Sequence, residues 1–407
     1  MSLRKQTLSQ FIANLDEEHD FREDVVQKLR PLGVKVVYEP SVVEHGTGRV
    51  LFSTQRFNAD FRSPITRECG GLIYDYATWK CLARPPLPFN PRCRLTMLNV
   101  ENFHITRASE GTTVTLYYLR SENDSEEGHW CMSSTNGYDV SNFVWSGEKT
   151  YLQLFNEVME EYPEFQWDSL NKDMSYTIGF HHPDFHPFHG PAEAERHAWV
   201  LGCFDTTSET YTNSCDIGLP IQADDTIEVE RVQELIEMSR DSLTKFISDK
   251  EVLYGFVLRH KTDPNGAFSN IMIESRLLQQ IRSLVYNDKQ GRLNPRDESY
   301  IGATERLRYI SLKSYLNQDN RETFIMLFPQ FEDSYTQYQE FIQQLAQRMI
   351  LESSSSTECL ENDLRTALQN KHNITFNADT DSGIVTDLIT SVEWLDQYYK
   401  YIYPSEE

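Results

Sequence analysis

Four histidines and an aspartate fall within nine residues in the run His181-His182-Pro183-Asp184-Phe185-His186-Pro187-Phe188-His189. Imidazoles with an aspartate are ligands suited to zinc or nickel. The spacing matches no standard metal motif, however, and two prolines keep a helix from aligning the rings, so a solvent-facing aromatic loop is expected. The seven cysteines, at positions 69, 81, 93, 131, 203, 215 and 359, are odd in number and include no Cys-x-x-Cys pair. They predict free thiols in a reducing compartment, not a disulfide framework or a zinc site. The chain has no Gly-x-Ser-x-Gly nucleophile elbow and no Walker-type phosphate loop. What remains is a set of charged residues near glycines. Arg84, Glu110, Arg259 and Lys313 are suited to line an anion-binding cleft; alternatively, Arg84 and Arg259 pair with surface carboxylates. Gly71, Gly111 and Gly137 read as turn requirements of the fold.

The elements that would position these groups are mixed. Leu8, Phe11, Ile12 and Leu15, then Val25, Val26 and Leu29, recur at helical spacing and predict a helix over 7–30, stopped by Pro31-Leu32-Gly33. Runs of β-forming residues predict strands near 34–38, 50–52, 71–75, 79–84, 113–118, 128–132, 175–180, 198–204 and 253–258, with a helix over 150–162. Many neighbouring strands read as antiparallel, so the class is α+β and not doubly wound. After about residue 310 helical patterns take over, at 321–328, 335–351, 357–370 and 384–402, and predict a helical C-terminal domain. The expected division is 1–312 and 313–407.

Composition sets limits on function. The chain has 407 residues, 39% of them hydrophobic and 12% aromatic, enough for a sizeable core. No apolar run of about 18 residues suggests a membrane-spanning helix, and residues 1–7 lack the apolar core of a signal peptide; a cytoplasmic protein is expected. The formal net charge is −24. Nucleic-acid affinity comes largely from neutralised phosphates, so any RNA contact should be weak. Acidic surface either keeps the chain soluble or meets a basic protein partner. Trp394, Tyr398, Tyr399, Tyr401 and Tyr403 gather near the C-terminus. Helical spacing puts Trp394, Tyr398 and Tyr401 on one face, which leaves Tyr399 and Tyr403 as candidate anchors for a partner or for self-association.

Seven stretches, in order, resemble the RNA ligase 1 family of the phage type. Arg67-Glu68-Cys69-Gly70-Gly71 resembles its Arg-Glu-x-Arg-Gly strand, and Leu82-Ala83-Arg84-Pro85 with Phe89-Asn90 its Arg-Pro-Phe segment. Ala108-Ser109-Glu110-Gly111-Thr112 resembles the nucleotidyl-transfer signature Lys-x-Asp/Glu-Gly-Ser/Thr. Ser134-Thr135-Asn136-Gly137 resembles the Ser-Thr-Arg-Gly turn, Tyr176-Thr177-Ile178-Gly179-Phe180-His181 the Tyr-Thr-x-x-Phe-Glu strand, Tyr254-Gly255-Phe256-Val257 the Glu-Gly-Phe-Val motif, and Tyr309-Ile310-Ser311-Leu312 the end of the last motif.

The resemblance implies a ligase-type nucleotidyltransferase domain over 1–312, with Ala108 at the start of a strand lining a central cleft. It also implies specific losses. The lysine that attacks the α-phosphate of ATP is replaced by Ala108. The ribose-contacting Glu falls at His181 and the metal-binding Glu at Tyr254. The triphosphate-binding lysines fall near Ala303 and Glu305, the RNA-facing Arg at Asn136, and the lysine after Arg84-Pro85 is missing. Arg84, Glu110, Gly111, His181, Tyr254 and Arg259 are then the candidate nucleotide-pocket residues. Two readings stand. One is a pseudoenzyme that needs no cofactor and acts as a binding or structural subunit. The other is an ATP-dependent and Mg²⁺-dependent RNA ligase working through a lysyl-AMP intermediate, with Ala108 an introduced substitution.

Overall fold

The computed structural model describes residues 6–14, 21–45, 47–54, 59–89, 95, 98–109, 111–120, 128–146, 149–183, 196–212, 215–221, 229–249, 251–261, 270–286, 325, 326, 332, 336, 340 and 343–347. The chain divides into two compact units, Met1–His186 with Ala192–Gln280, and Pro187–Pro191 with Ile281–Glu407. Every described position of the second unit is helical. The expected helices at 357–370 and 384–402, the aromatics between Trp394 and Tyr403, and the expected boundary at 312 lie outside the described residues.

The first unit begins with α1 (Leu8–Ala13) and α2 (Phe21–Leu29), where the spacing predicts a single helix over 7–30. Thr7 starts α1 with a reciprocal capping box: its hydroxyl accepts from the Gln10 N–H, and the Gln10 side chain accepts from the Thr7 N–H. Both helices pack on a four-stranded antiparallel sheet of β1 (Val34–Tyr38), β2 (Arg49–Thr54), β3 (Gly70–Asp75) and β4 (Cys81–Ala83), in that order. Short helices α3 (Pro40–His45) and α4 (Pro64–Glu68) sit in its connections. Side chains alternate faces along β2. Val50 and Phe52 join Leu8, Phe11, Val25 and Leu29 in one core, while Leu51 faces the other way with Ile73.

Next come β5 (Phe103–Arg107), β6 (Thr112–Leu119), β7 (His129–Ser133), the small hairpin β8 (Val144–Ser146) and β9 (Lys149–Thr150), α5 (Tyr151–Met159), β10 (Met174–His181), β11 (His197–Asp205) and β12 (Thr210–Thr212). Five of these strands form an antiparallel sheet in the order β12-β11-β10-β6-β7. One face carries Val114, Leu116, Ile178, Phe180 and Val200 against Leu154, Phe155 and Val158 of α5. Phe155 meets Phe180 and Phe165 edge to face, at centroid distances of 5.3 and 5.9 Å. The opposite face brings Tyr117 and Cys131 onto Leu51 and Ile73 of the first sheet. Arg49 spans this interface, with two nitrogens on Glu39 at 2.6 and 2.7 Å and a third bond to the Tyr117 hydroxyl at 2.9 Å.

A third sheet, in the order β14-β13-β5, adds β13 (Gly255–His260) and β14 (Asn270–Glu274). Its core joins Val232 and Leu235 of α6 (Val232–Asp249) to Phe256, Leu258 and Ile271. The helix α7 (Arg276–Tyr286) follows β14. Antiparallel pairing between all the named strands matches the expected α+β class. Among the described residues no helix is long and apolar enough to cross a membrane.

Candidate functional site

Ala108 lies in the connection from the third sheet to the second, one residue past β5. Its N–H donates to the Gly255 carbonyl at 2.9 Å, extending the β5–β13 ladder by one bond. The expectation that Ala108 begins a strand is therefore corrected: the backbone must leave one sheet and enter another within four residues, and the strand restarts only at Thr112. Gly111 makes that change of direction with φ of +144°, a conformation rarely open to residues with a Cβ. Glu110 lies outside the described residues.

His181 ends β10 and is fully buried. It pairs across the strands with His197, and the two rings stack at 5.1 Å. His197 in turn stacks on Trp199 at 5.2 Å. His182 is 2% exposed, with Nε2 3.0 Å from the Glu157 carboxylate. The expected solvent-facing loop is thus wrong for these two residues. β10 runs one residue beyond the predicted strand, and α5 supplies a carboxylate to receive His182. Glu157 also accepts from Lys149 and Arg196, at 3.0 and 3.2 Å. Burial pushes its carboxyl pKa up, but the hydrogen bonds and charges of Lys149 and His182 outweigh that and hold it below the ordinary value. Asp184, His186 and His189 lie outside the described residues. Among those described, no group of three or more His, Cys, Asp or Glu is placed to hold a metal ion.

A cavity of about 280 Å³ opens where the motif strands converge. Gly71, Thr113, Thr115, Thr135, Arg259 and Asn270 are among its lining residues. The structure therefore brings together parts of four resembling motifs: the Gly70-Gly71 strand, the proline segment 85–89, the Ser134-Thr135 turn, and β13 with Arg259. Asn270 pins the proline segment through a 2.5 Å bond from its amide to the Leu87 carbonyl. Among the described lining residues Arg259 is the single charged group, and the rest of the polar wall is hydroxyl and amide.

The other candidates are placed elsewhere. Arg84 does not line the cavity; its guanidinium lies over the Phe204 ring at 5.2 Å. The backbone there is held by a 3.3 Å bond from the Arg84 N–H to the Ser175 hydroxyl. Burial lowers the Arg84 pKa, but Cys81, Tyr74 and Glu68 outweigh it and favour the charged form. Glu68 accepts from the Leu8 N–H at 2.9 Å and so anchors α1, with burial pushing its pKa up. Tyr254 is buried but is not a lining residue, and its carbonyl accepts from the Ser275 N–H at 3.0 Å. Ala303, Glu305 and Lys313 lie outside the described residues, and β14, the strand after the Tyr254 motif, carries no lysine. Asn136 closes a turn beside Gly71, with its Oδ1 3.3 Å from the Ser53 hydroxyl. The expectation of seven free thiols also needs correction: Cys203 and Cys215 are paired in a disulfide, leaving Cys69, Cys81 and Cys131 as buried free thiols among the described residues.

Sequence reasoning missed Thr113, Thr115, Asn270 and Trp199. The period-2 pattern holds the signal for three of them. Val114 with Leu116, and Ala198 with Val200, face α5, so Thr113, Thr115 and Trp199 point to the opposite side of the sheet, where Thr113 and Thr115 line the cavity. Asn270 had no such mark.

No protein-family model matches the chain. A protein of African swine fever virus, Badajoz strain, named "Putative RNA-ligase", is 29% identical over 331 residues, covering 73% of this chain and 70% of its own. The protein of the same name from a South African tick isolate is 28% identical over the same coverage. The resemblance to RNA ligases is thus shared with curated relatives over most of the chain. Among solved structures, the RNA ligase of Naegleria gruberi in a mutant form with ATP and Mn is 14% identical, covering 46% of this chain and 55% of that one, with a TM-score of 0.30. The same enzyme with PPi covers 49% and 61%, at 12% identity and a TM-score of 0.29. Each match spans less than two thirds of the solved chain, and superposition this loose carries no inference about the site.

Proposed function

We propose that this chain is an RNA ligase-like protein that has given up nucleotidyl transfer and acts as a binding or structural subunit. One observation carries the reading: at the turn where the resemblance calls for a nucleophile stands Ala108, whose methyl group has no lone pair with which to attack an α-phosphate. The surroundings support it. Stabilising developing phosphate charge takes cations and metal-held oxygens. The described cavity wall offers one guanidinium, Arg259, and no carboxylate. His181 is packed in a ring stack and Tyr254 is buried outside the lining. These residues do not fit a resident ATP–Mg²⁺ group, and no step is assigned through one. No cofactor is required by this reading, and the protein's work falls to its surface: a protein partner or a second copy of itself, with RNA a weak ligand at most.

The name carried by the viral relatives favours a second reading, an ATP-dependent RNA ligase in which Ala108 replaces the lysine. The two separate in one assay. The chain is incubated with labelled ATP and Mg²⁺ or Mn²⁺, resolved under denaturing conditions and examined for covalent AMP. No labelled band is expected; a band that survives denaturation overturns the pseudoenzyme reading.

A further inference from the structure

The cavity of about 280 Å³ has a wall poor in hydrogen-bond donors. Three of its lining residues, Pro85, Pro86 and Pro88, carry no backbone N–H. Phe61, Leu87 and Leu201 add apolar surface. The polar side chains of the wall are partly used within the chain. Thr54 Oγ1 donates to the Thr66 and Cys69 carbonyls, at 2.9 and 2.6 Å. Thr115 Oγ1 lies 3.0 Å from Thr177 Oγ1. The Asn270 amide donates to the Leu87 carbonyl. Ser134 Oγ accepts from the Asn136 N–H at 3.3 Å, which leaves its own proton to donate. None of the described lining residues lies in a helix, so the lining itself provides no helix N-terminus for an anion.

Within that wall Arg259 is the one cation among the described lining residues. One guanidinium neutralises one charge, and its planar fork matches the two oxygens of a carboxylate. A phosphate monoester carries close to two charges at neutral pH and has three oxygens to satisfy. Here its second charge would enter the cavity without a counterion. The volume also lies at the lower end of small-molecule sites, which start at roughly 300 Å³. We propose that the cavity binds a single carboxylate carried on an apolar group, the carboxylate held by Arg259 and Ser134 and the apolar group set against the proline segment, Phe61 and Leu201. This rests on the reading that the cleft no longer serves nucleotide chemistry. Two sources carry such a group: a small organic acid and the C-terminal end of a polypeptide. The second would make the cavity the docking point of a protein partner.

The test is a ligand-observed NMR titration of the full chain near neutral pH. Phenylacetate stands for the small acid and N-acetyl-Ala-Ala-Phe for the chain end. The C-terminal amide of that peptide and phenyl phosphate are the comparisons. Saturable binding of one or both carboxylates is expected, with a dissociation constant on the order of a millimolar. The amide and phenyl phosphate should bind about tenfold more weakly or not at all. Tighter binding of the peptide identifies a chain end as the source; equal or weaker binding identifies a small acid. Arg259→Met, which keeps the apolar stem of the side chain, should erase the difference between acid and amide. If thermal melts show that this variant does not fold, the comparison of acid, amide and phosphate on the unaltered chain decides alone. No saturable binding of either carboxylate overturns the proposal, as does equal binding of the amide or of phenyl phosphate, or undiminished carboxylate binding by folded Arg259→Met. These outcomes leave the pseudoenzyme reading untouched, since that reading fails only if covalent AMP forms with ATP and metal.

Discussion

Gly111 meets two constraints at once: a positive φ, and an added Cβ that would lie 2.5 Å from the Phe180 carbonyl oxygen. Gly111→Ala is expected to destabilise the first unit by about 2 kcal/mol or more, read as a lower denaturant midpoint at unchanged slope; an unmoved midpoint contradicts the turn geometry. Arg49 is the other residue whose loss should be felt. Its side chain is 8% exposed, it is bonded to Glu39 and Tyr117, and it lies over the Tyr138 ring at 4.9 Å. Arg49→Ala leaves Glu39 without its cation at the joint between two sheets, at a cost of about 3–5 kcal/mol. Chemical denaturation measures it, and a loss near zero would mean that the network is not formed in solution.

Among the elements, α5 and β10 are joined by more than apolar packing, because Glu157 on the helix receives His182 just past the strand end. A carboxyl whose folded pKa is depressed adds stability above its ordinary pKa and loses it as pH falls through the folded value. Its ordinary value is 4.5, so Glu157 should contribute fully above that pH and progressively less below it. Glu157→Gln is expected to flatten the acid limb of a stability–pH curve; an identical limb in both proteins contradicts the assignment. The strands that carry this pairing were legible because one face of the second sheet is buried against α5, and this places apolar residues at alternate positions such as Val114 and Leu116, Tyr176, Ile178 and Phe180, and Ala198 and Val200. What alternation cannot tell is what the other face meets. That is why Trp199 went unread, why His181 and His182 looked like part of an exposed loop, and why Arg84 was assigned to the cleft although its guanidinium turns toward Phe204. α6 was missed for a different reason: it buries only a narrow stripe, Val232, Leu235, Ser239, Ser242 and Phe246, two of them serines.

For the whole molecule, the charge of −24 sets what can bind. Single-stranded RNA gains about −0.7 of log–log salt slope for each phosphate neutralised, so a chain with few clustered cations should bind RNA weakly and lose that binding steeply with salt. Filter binding across a salt series checks this; nanomolar affinity at physiological salt would contradict it and reveal a concentrated basic face. The kept motifs were visible from sequence because glycines, prolines and strand patterns leave local signatures, but of the described residues expected to line an anion-binding cleft only Arg259 does so. The proposed loss of chemistry rests on a mark that sequence can carry, because a nucleophile is a single residue and position 108 is alanine. The central claim is that this loss extends beyond Ala108 to the groups that would hold the phosphates and the metal, and its most direct measurement is lysine restoration. Ala108→Lys, shown to be folded, is incubated with labelled ATP and Mg²⁺ and assayed for a covalent nucleotide adduct: the account predicts none above the unaltered chain, and a robust adenylate signal from this single substitution would contradict it.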